Sequence, residues 1–297
     1  MKSKFITAVI LMFTFLIFSN GVVAKEVGVS TVEVFHDGKN IVNPAPETEQ
    51  WRALKESLFP GKDVRTNAID LIEISAPFRA ADAAVVPITI SSKIDQSRES
   101  YIRKLYLLID RNPTPVAAIF TLSSEAGRAD ISTRVRLEEY TYVRAVAELN
   151  DGSLHMSYKY VRASGGCSAP AGKDQELALA RLGRMKLRTE ATPMLGKPSK
   201  AQVMISHPNF SGMQKDQLTQ LYVPARFVRQ IDVMQGDNLL LSAKLDFAVS
   251  ENPNIRFFFV PKGENDNLKA TAIDSTDKKF EKSLAVIASQ PTAKNNF

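Results

Sequence analysis

The chain has 297 residues, 44% of them hydrophobic and 24% charged, with a formal net charge of +6. That is globular composition, and it excludes wholesale disorder, collagen-like repeats and low-complexity architecture. A single cysteine excludes an intrachain disulfide framework and any zinc site built on several thiolates, and no apolar run of 18 or more residues follows the N-terminus.

Lys2 and Lys4 form a short positive segment, residues 5–18 are almost unbroken apolar sequence, and Val22-Val23-Ala24 offers small residues at cleavage spacing. This pattern predicts a secretory signal peptide over residues 1–24. No cysteine stands at the cleavage point, so the signal is not that of a lipoprotein. Loss of Lys2 and Lys4 lowers the charge by two, from +6 to +4, and the remaining cations are scattered among acids, so nucleic acid is not an expected partner. Residues 25–46 read as irregular. Residues 47–59 predict a short helix, with Trp51, Leu54, Leu58 and Phe59 on one face and Pro60-Gly61 as its stop.

From Ala68 the period changes. Residues 69–74, 85–90, 102–109 and 116–122 are short apolar runs, and Pro87 marks its run as an edge or bulge. Ile131, Thr133, Val135 and Leu137 alternate with Ser132, Arg134 and Arg136, the pattern of a half-buried antiparallel strand. Residues 140–149 and 154–160 flank Asn150-Asp151-Gly152, a hairpin signal. This density of short strands predicts a β-sandwich over residues 47–167. Residues 168–200 read as a linker with a helix over 174–188, weakened by Gly183. A second β pattern over 201–290 includes the alternations 239–247 and 255–259 and predicts a second, smaller sandwich, with a tail at 291–297.

The chemically loaded position is Cys167, within Ser164-Gly165-Gly166-Cys167-Ser168-Ala169. A lone thiol in an exported chain is buried, paired with another chain, or kept for its reactivity. Gly165 and Gly166 carry no shielding side chains and predict a flexible arm that exposes Cys167 up to about 20 Å beyond the preceding strand. Arg162 and Lys173 are near enough in sequence to lower the thiol pKa. No Cys-x-x-Cys pair supplies a resolving thiol, and no phosphate-binding glycine loop is present. His36, His155 and His207 read as surface or loop residues, although distant histidines can fold close to a thiol, and Glu138-Glu139 read as a solvated strand end.

Val85-Val86-Pro87-Ile88, Asn112-Pro113-Thr114-Pro115 with the strand after it, Ile131-Ser132-Thr133-Arg134 and Gly165-Gly166-Cys167 together resemble SoxY, the sulfur-carrier subunit of the periplasmic thiosulfate-oxidising (Sox) system. Ser206-His207-Pro208, Gly212, Pro224-Ala225, Leu241-Ser242-Ala243, the segment 248–253 and Phe257-Phe258-Phe259 resemble its partner subunit, SoxZ. The order and linker resemble the fused SoxYZ-like carriers associated with quinoprotein dehydrogenases. The resemblance implies an all-β chain of two immunoglobulin-like β-sandwich domains, a periplasmic location, and a carrier without enzymatic activity, cofactor or metal of its own. It makes Cys167 the covalent attachment point for a sulfur-containing intermediate and Gly165-Gly166 the arm. Periplasmic redox enzymes, of Sox type or a quinoprotein dehydrogenase, are the implied partners, and the two halves are expected to pack on each other. The chain departs from the family in one respect: 130 residues follow Cys167, which tethers it on both sides. Two readings stand: a covalent carrier, which requires Cys167, and a non-catalytic binding or assembly module for a periplasmic dehydrogenase, which does not.

Overall fold

A computed structural model describes residues 46–170, 175–263 and 265–290. The expected signal peptide, its cleavage point after Ala24, nearly all of the 25–46 segment and the tail lie outside the described residues. Among the described residues no helix is long and apolar enough to cross a membrane.

Helix α1, Glu49–Leu58, starts where Thr48 Oγ1 accepts from Trp51 N (3.1 Å). It buries Trp51, with Leu54, Leu58 and the following Phe59, against Tyr106, Leu108 and Met156. Arg144 lies 4.9 Å over the Trp51 ring and makes a buried two-bond pair with Asp110 (2.7 and 2.8 Å), which fixes the helix to the sheet beneath. The strands of the N-terminal half are β1 (Val64–Arg65), β2 (Ile72–Ser75), β3 (Val86–Ser92), β4 (Ile102–Ile109), β5 (Val116–Leu122), β6 (Ile131–Val135), β7 (Thr141–Leu149) and β8 (Leu154–Val161). After helix α2 (Gln175–Ala180) come β9 (Met185–Thr189), β10 (Ser199–Ile205), β11 (Val228–Gln235), β12 (Asn238–Leu245), β13 (Asn254–Phe259), β14 (Asn265–Asp274) and β15 (Lys279–Ile287).

These strands form two sheets, ordered β1-β8-β7-β4-β5-β12-β11-β14-β15 and β2-β3-β6-β13-β10-β9. Each half contributes strands to both sheets, so each is a sandwich, as the alternating patterns require. The sandwiches also join edge to edge. β5 pairs antiparallel with β12 from Leu122↔Leu241 to Ala118↔Leu245, and β6 meets β13 at Ser132↔Arg256. One apolar core runs across the seam, from Ile72 and Phe120 to Val203 and Phe257.

Two local expectations are corrected. The helix read over 174–188 stops at Ala180, and residues 185–189 form β9, a strand inside the expected linker that pairs with β10. Gly183 takes φ +81° and donates to Ser206 O (2.8 Å), and beyond it burial follows the period of two that places Leu187 inward. Pro87 lies in an interior strand, not an edge. It is tolerated because β2 pairs with β3 only as far as Thr89, leaving the Pro87 position without a neighbour on that side.

Candidate functional site

β6 ends at Val135, and the chain continues through Arg136, Leu137 and Glu138. β8 ends at Val161, and the segment carrying Cys167 folds back along those three residues. Gly165 N donates to Glu138 O (2.8 Å) and Gly166 N to Leu137 O (2.8 Å), while Leu137 N donates to Ala83 O (2.9 Å). The glycines serve this close approach. Gly165 adopts φ +78°, and a Cβ on Gly166 would stand 2.1 Å from Ala83 O and 2.8 Å from Leu137 O.

The Glu138 carboxylate closes the segment down. It accepts from Cys167 N (2.9 Å), Ser168 N (3.1 Å) and Ser168 Oγ (2.7 Å). The C-terminal half holds the other side: Ser211 Oγ donates to Cys167 O (2.6 Å) and Gln214 Nε2 to Ala169 O (3.1 Å). The outer edge of the segment, Ser168 and Pro170, lines an open depression of about 360 Å³ with Met213, Lys215 and Tyr222.

Cys167 is therefore not displayed on a free arm, and the expectation of an exposed thiol is corrected. The residue is fully buried. Burial, then the charges of Glu138 and Asp246, push the thiol up to about 12 against the opposing pull of Arg136. In this docked state it is a protonated, shielded thiol. The expected cationic neighbours do not reach it: Arg162 lies 4.8 Å over the Phe78 ring, and Lys173 is outside the described residues. Neither His155 nor His207 is among the charged groups acting on the thiol, and His36 is outside the described residues.

Three residues read as surface or strand-end groups belong to this site or its support. Glu138 is the clasp, while Glu139 stays exposed and pairs with Arg111 (3.3 Å). Arg136 is buried because the alternation of β6 breaks after Val135, leaving Val135, Arg136 and Leu137 all inside. Its Nη1 donates to the carbonyls of Asn209 (2.8 Å), Phe247 (2.8 Å) and Val249 (3.0 Å). His207 is buried rather than exposed, and it props the loop that carries Asn209, one of the two segments supplying these carbonyls. Asn209 N donates to His207 Nδ1 (3.0 Å), and Asn209 Nδ2 to Val249 O (3.0 Å). Burial brings the imidazole down to about 4, despite Asp274 Oδ2 at 3.6 Å from Nε2. Burial raises the Asp274 carboxyl, but hydrogen bonds from Thr276, Lys278 and Arg226 outweigh it and bring it to about 2. No local sequence motif marks Arg136, Glu138, Ser211 and Gln214 as a set, because two stretches of chain more than 70 residues apart bring them together. Among the described residues no group of three or more histidines, cysteines or carboxylates could hold a metal.

The family model of the sulfur oxidation protein SoxY matches residues 56–167 and ends on Cys167; that of the sulphur oxidation protein SoxZ matches residues 186–285. The chain belongs to the SoxYZ family, with both parts fused in one polypeptide. The SoxY half supplies the thiol, Arg136 and Glu138, and the SoxZ half supplies Ser211, Gln214 and the carbonyl cage. Both domains are those of sulfur-oxidation carriers. No curated relative matches the chain. Among solved structures, the superoxide reductase (neelaredoxin) of Ignicoccus hospitalis is similar at 14% identity over 33% of this chain and 94% of that one, with a TM-score of 0.30. A putative superoxide reductase of Thermotoga maritima is similar at 17% identity over 33% and 92%, TM-score 0.28. Red sea bream transglutaminase is similar at 10% over 83% and 34%, TM-score 0.24.

Proposed function

We propose that this chain is a periplasmic carrier that holds a sulfur-containing intermediate covalently on Cys167 Sγ and presents it to partner redox enzymes. The observation that carries the reading is that the SoxY match ends on the chain's single cysteine. The docked arm fits it as a resting state. Residues 162–170 lie beyond the end of β8, so releasing the contacts to Leu137, Glu138, Ser211 and Gln214 frees the thiol and leaves the named strands intact. The released thiol returns towards its ordinary pKa of about 8.5, where the thiolate fraction near neutral pH suffices for attack on an oxidised sulfur compound. The two tethers restrict where the thiol travels, so partners come to the arm. Gly165 and Gly166 are its hinge, and their small size also lets it return to its seat.

The burial of Cys167 favours a second reading, a non-catalytic binding or assembly partner of a periplasmic quinoprotein dehydrogenase. Intact mass of the protein purified from periplasm, with and without reductant and beside Cys167→Ser, separates the two. The carrier reading expects a reducible adduct on the native chain that the variant lacks. A native chain without adduct whose partner binding survives Cys167→Ser sinks the carrier and supports the binding module.

A further inference from the structure

Arg136 is 2% exposed, yet among the described residues its guanidinium pairs with no carboxylate. It donates through Nη1 to three carbonyls and through Nη2 to Pro208 O at a long 3.4 Å, while its buried Nε–H finds no acceptor among the described residues. Carbonyl oxygens satisfy donors but bring no net negative charge, and a buried cation left without an anion is costly. The cysteine segment lies alongside. Leu137 and Glu138, the residues that follow Arg136, take the N–H groups of Gly166, Gly165 and Cys167. The charged groups acting on Arg136 are the ionised form of Cys167 and then Glu251; those acting on Cys167 are Glu138, Arg136 and Asp246. Among the described residues, Arg136 is the one charge around the sulfur that attracts an anion.

We propose that Arg136 is a binding residue for an anionic sulfur group carried on Cys167, such as a persulfide anion or a terminal sulfonate. The chemistry of that cargo rests on the carrier reading. The orphaned Nε–H is the donor waiting for it, and the long bond to Pro208 O is the one given up as the group is seated. The unloaded neutral thiol leaves Glu251, which makes no ion pair with it, as the anion acting on the cation, so an anionic cargo steadies the docked arm and a neutral one does not. Charge, rather than size alone, then selects which loaded form the protein retains.

The test uses the whole mature chain and chemically placed adducts of similar size. With tetrathionate, the Cys167 thiolate attacks a central sulfur, forms Sγ–S–SO₃⁻ and displaces thiosulfate, the thiol proton passing to solvent. Ethyl and aminoethyl methanethiosulfonate likewise transfer a neutral ethylthio or a cationic aminoethylthio group and release methanesulfinate. Each single adduct is confirmed by mass and its melting temperature measured. The expected order is anion, then neutral, then cation, with anion and neutral separated by about 2–4 °C, the response of a body of this size to one charged contact. Arg136→Gln collapses the anion–neutral gap and Arg136→Lys keeps part of it. Equal melting of the three wild-type adducts, or a gap that survives Arg136→Gln, overturns the assignment. The wild-type series needs no variant, so a misfolded Gln protein does not rescue the idea. Equal melting leaves the carrier reading standing, whereas a native chain without adduct removes the carrier reading and leaves this series untouched.

Discussion

Replacing Glu138 by alanine removes three hydrogen bonds from the cysteine segment at once: Cys167 N at 2.9 Å, Ser168 N at 3.1 Å and Ser168 Oγ at 2.7 Å. A buried hydrogen bond to a charged group contributes about 1.5–3 kcal/mol, and a typical neutral one about 1 kcal/mol. The carboxylate is only half-buried, and water replaces its bonds to exposed Ser168, so about 2 kcal/mol for the whole clasp is a reasonable sum. At about 1.4 kcal/mol per decade that is roughly a 30-fold rise in the undocked fraction. Alkylation by iodoacetamide, followed by intact mass, reads this fraction, because the docked thiol is enclosed. Wild type should label far more slowly than a free peptide of the sequence Ser164 to Ala169. Glu138→Ala should label about 10–100 times faster than wild type, with Glu138→Gln between them because it keeps an acceptor but loses the charge. The melting temperature should fall by no more than a few degrees, since no strand is touched. Wild-type labelling at the peptide rate would refute the docked arm. Labelling of Glu138→Ala at the wild-type rate would refute the clasp.

Gly166→Ala attacks the same dock from the other side. Its Cβ at 2.1 Å from Ala83 O cannot be seated, so labelling should rise at least tenfold; unchanged labelling would show that the arm does not sit there. The stability of the protein should also fall in mild acid. His207 is held near 4 in the fold against 6.5 when exposed, so between those values the unfolded chain binds the extra proton, and stability is lost as pH drops from about 6.5 to 4. The full effect is about 3 kcal/mol, and Asp274, held near 2 against 3.8, extends the loss below pH 4. Denaturant titrations of wild type and His207→Gln across this range should converge towards low pH; parallel curves would remove His207 as the source.

The strands were legible where one face is buried and the other wet. The 131–135 and 254–259 segments show the period of two, and the apolar runs 102–109 and 116–122 sit in the interior of the nine-stranded sheet. β9 was hidden because Leu177, Leu179, Leu182, Met185 and Leu187 satisfy a loose helical pattern, and Gly183 is read as a weak point rather than the end of the helix. At the site, Cys167 and the paired glycines were visible as a motif, but their conformation was not. Glycine serves both a mobile arm and a tight approach to backbone, and only the position of Ala83 O, 83 residues before Gly166, distinguishes them. Arg136 continues a polar alternation on paper and leaves it in space, because β6 has already ended.

The antiparallel pairing of β5 with β12 across the seam has a consequence for concentration. The seat of the thiol is built from both halves, and its outer contacts, Ser211 and Gln214, come from the second. In two separate chains such a seat would be lost on dilution as the partners dissociate. In one chain the second half is always present at a fixed effective molarity, so closing the arm is a unimolecular step, independent of how scarce the protein becomes.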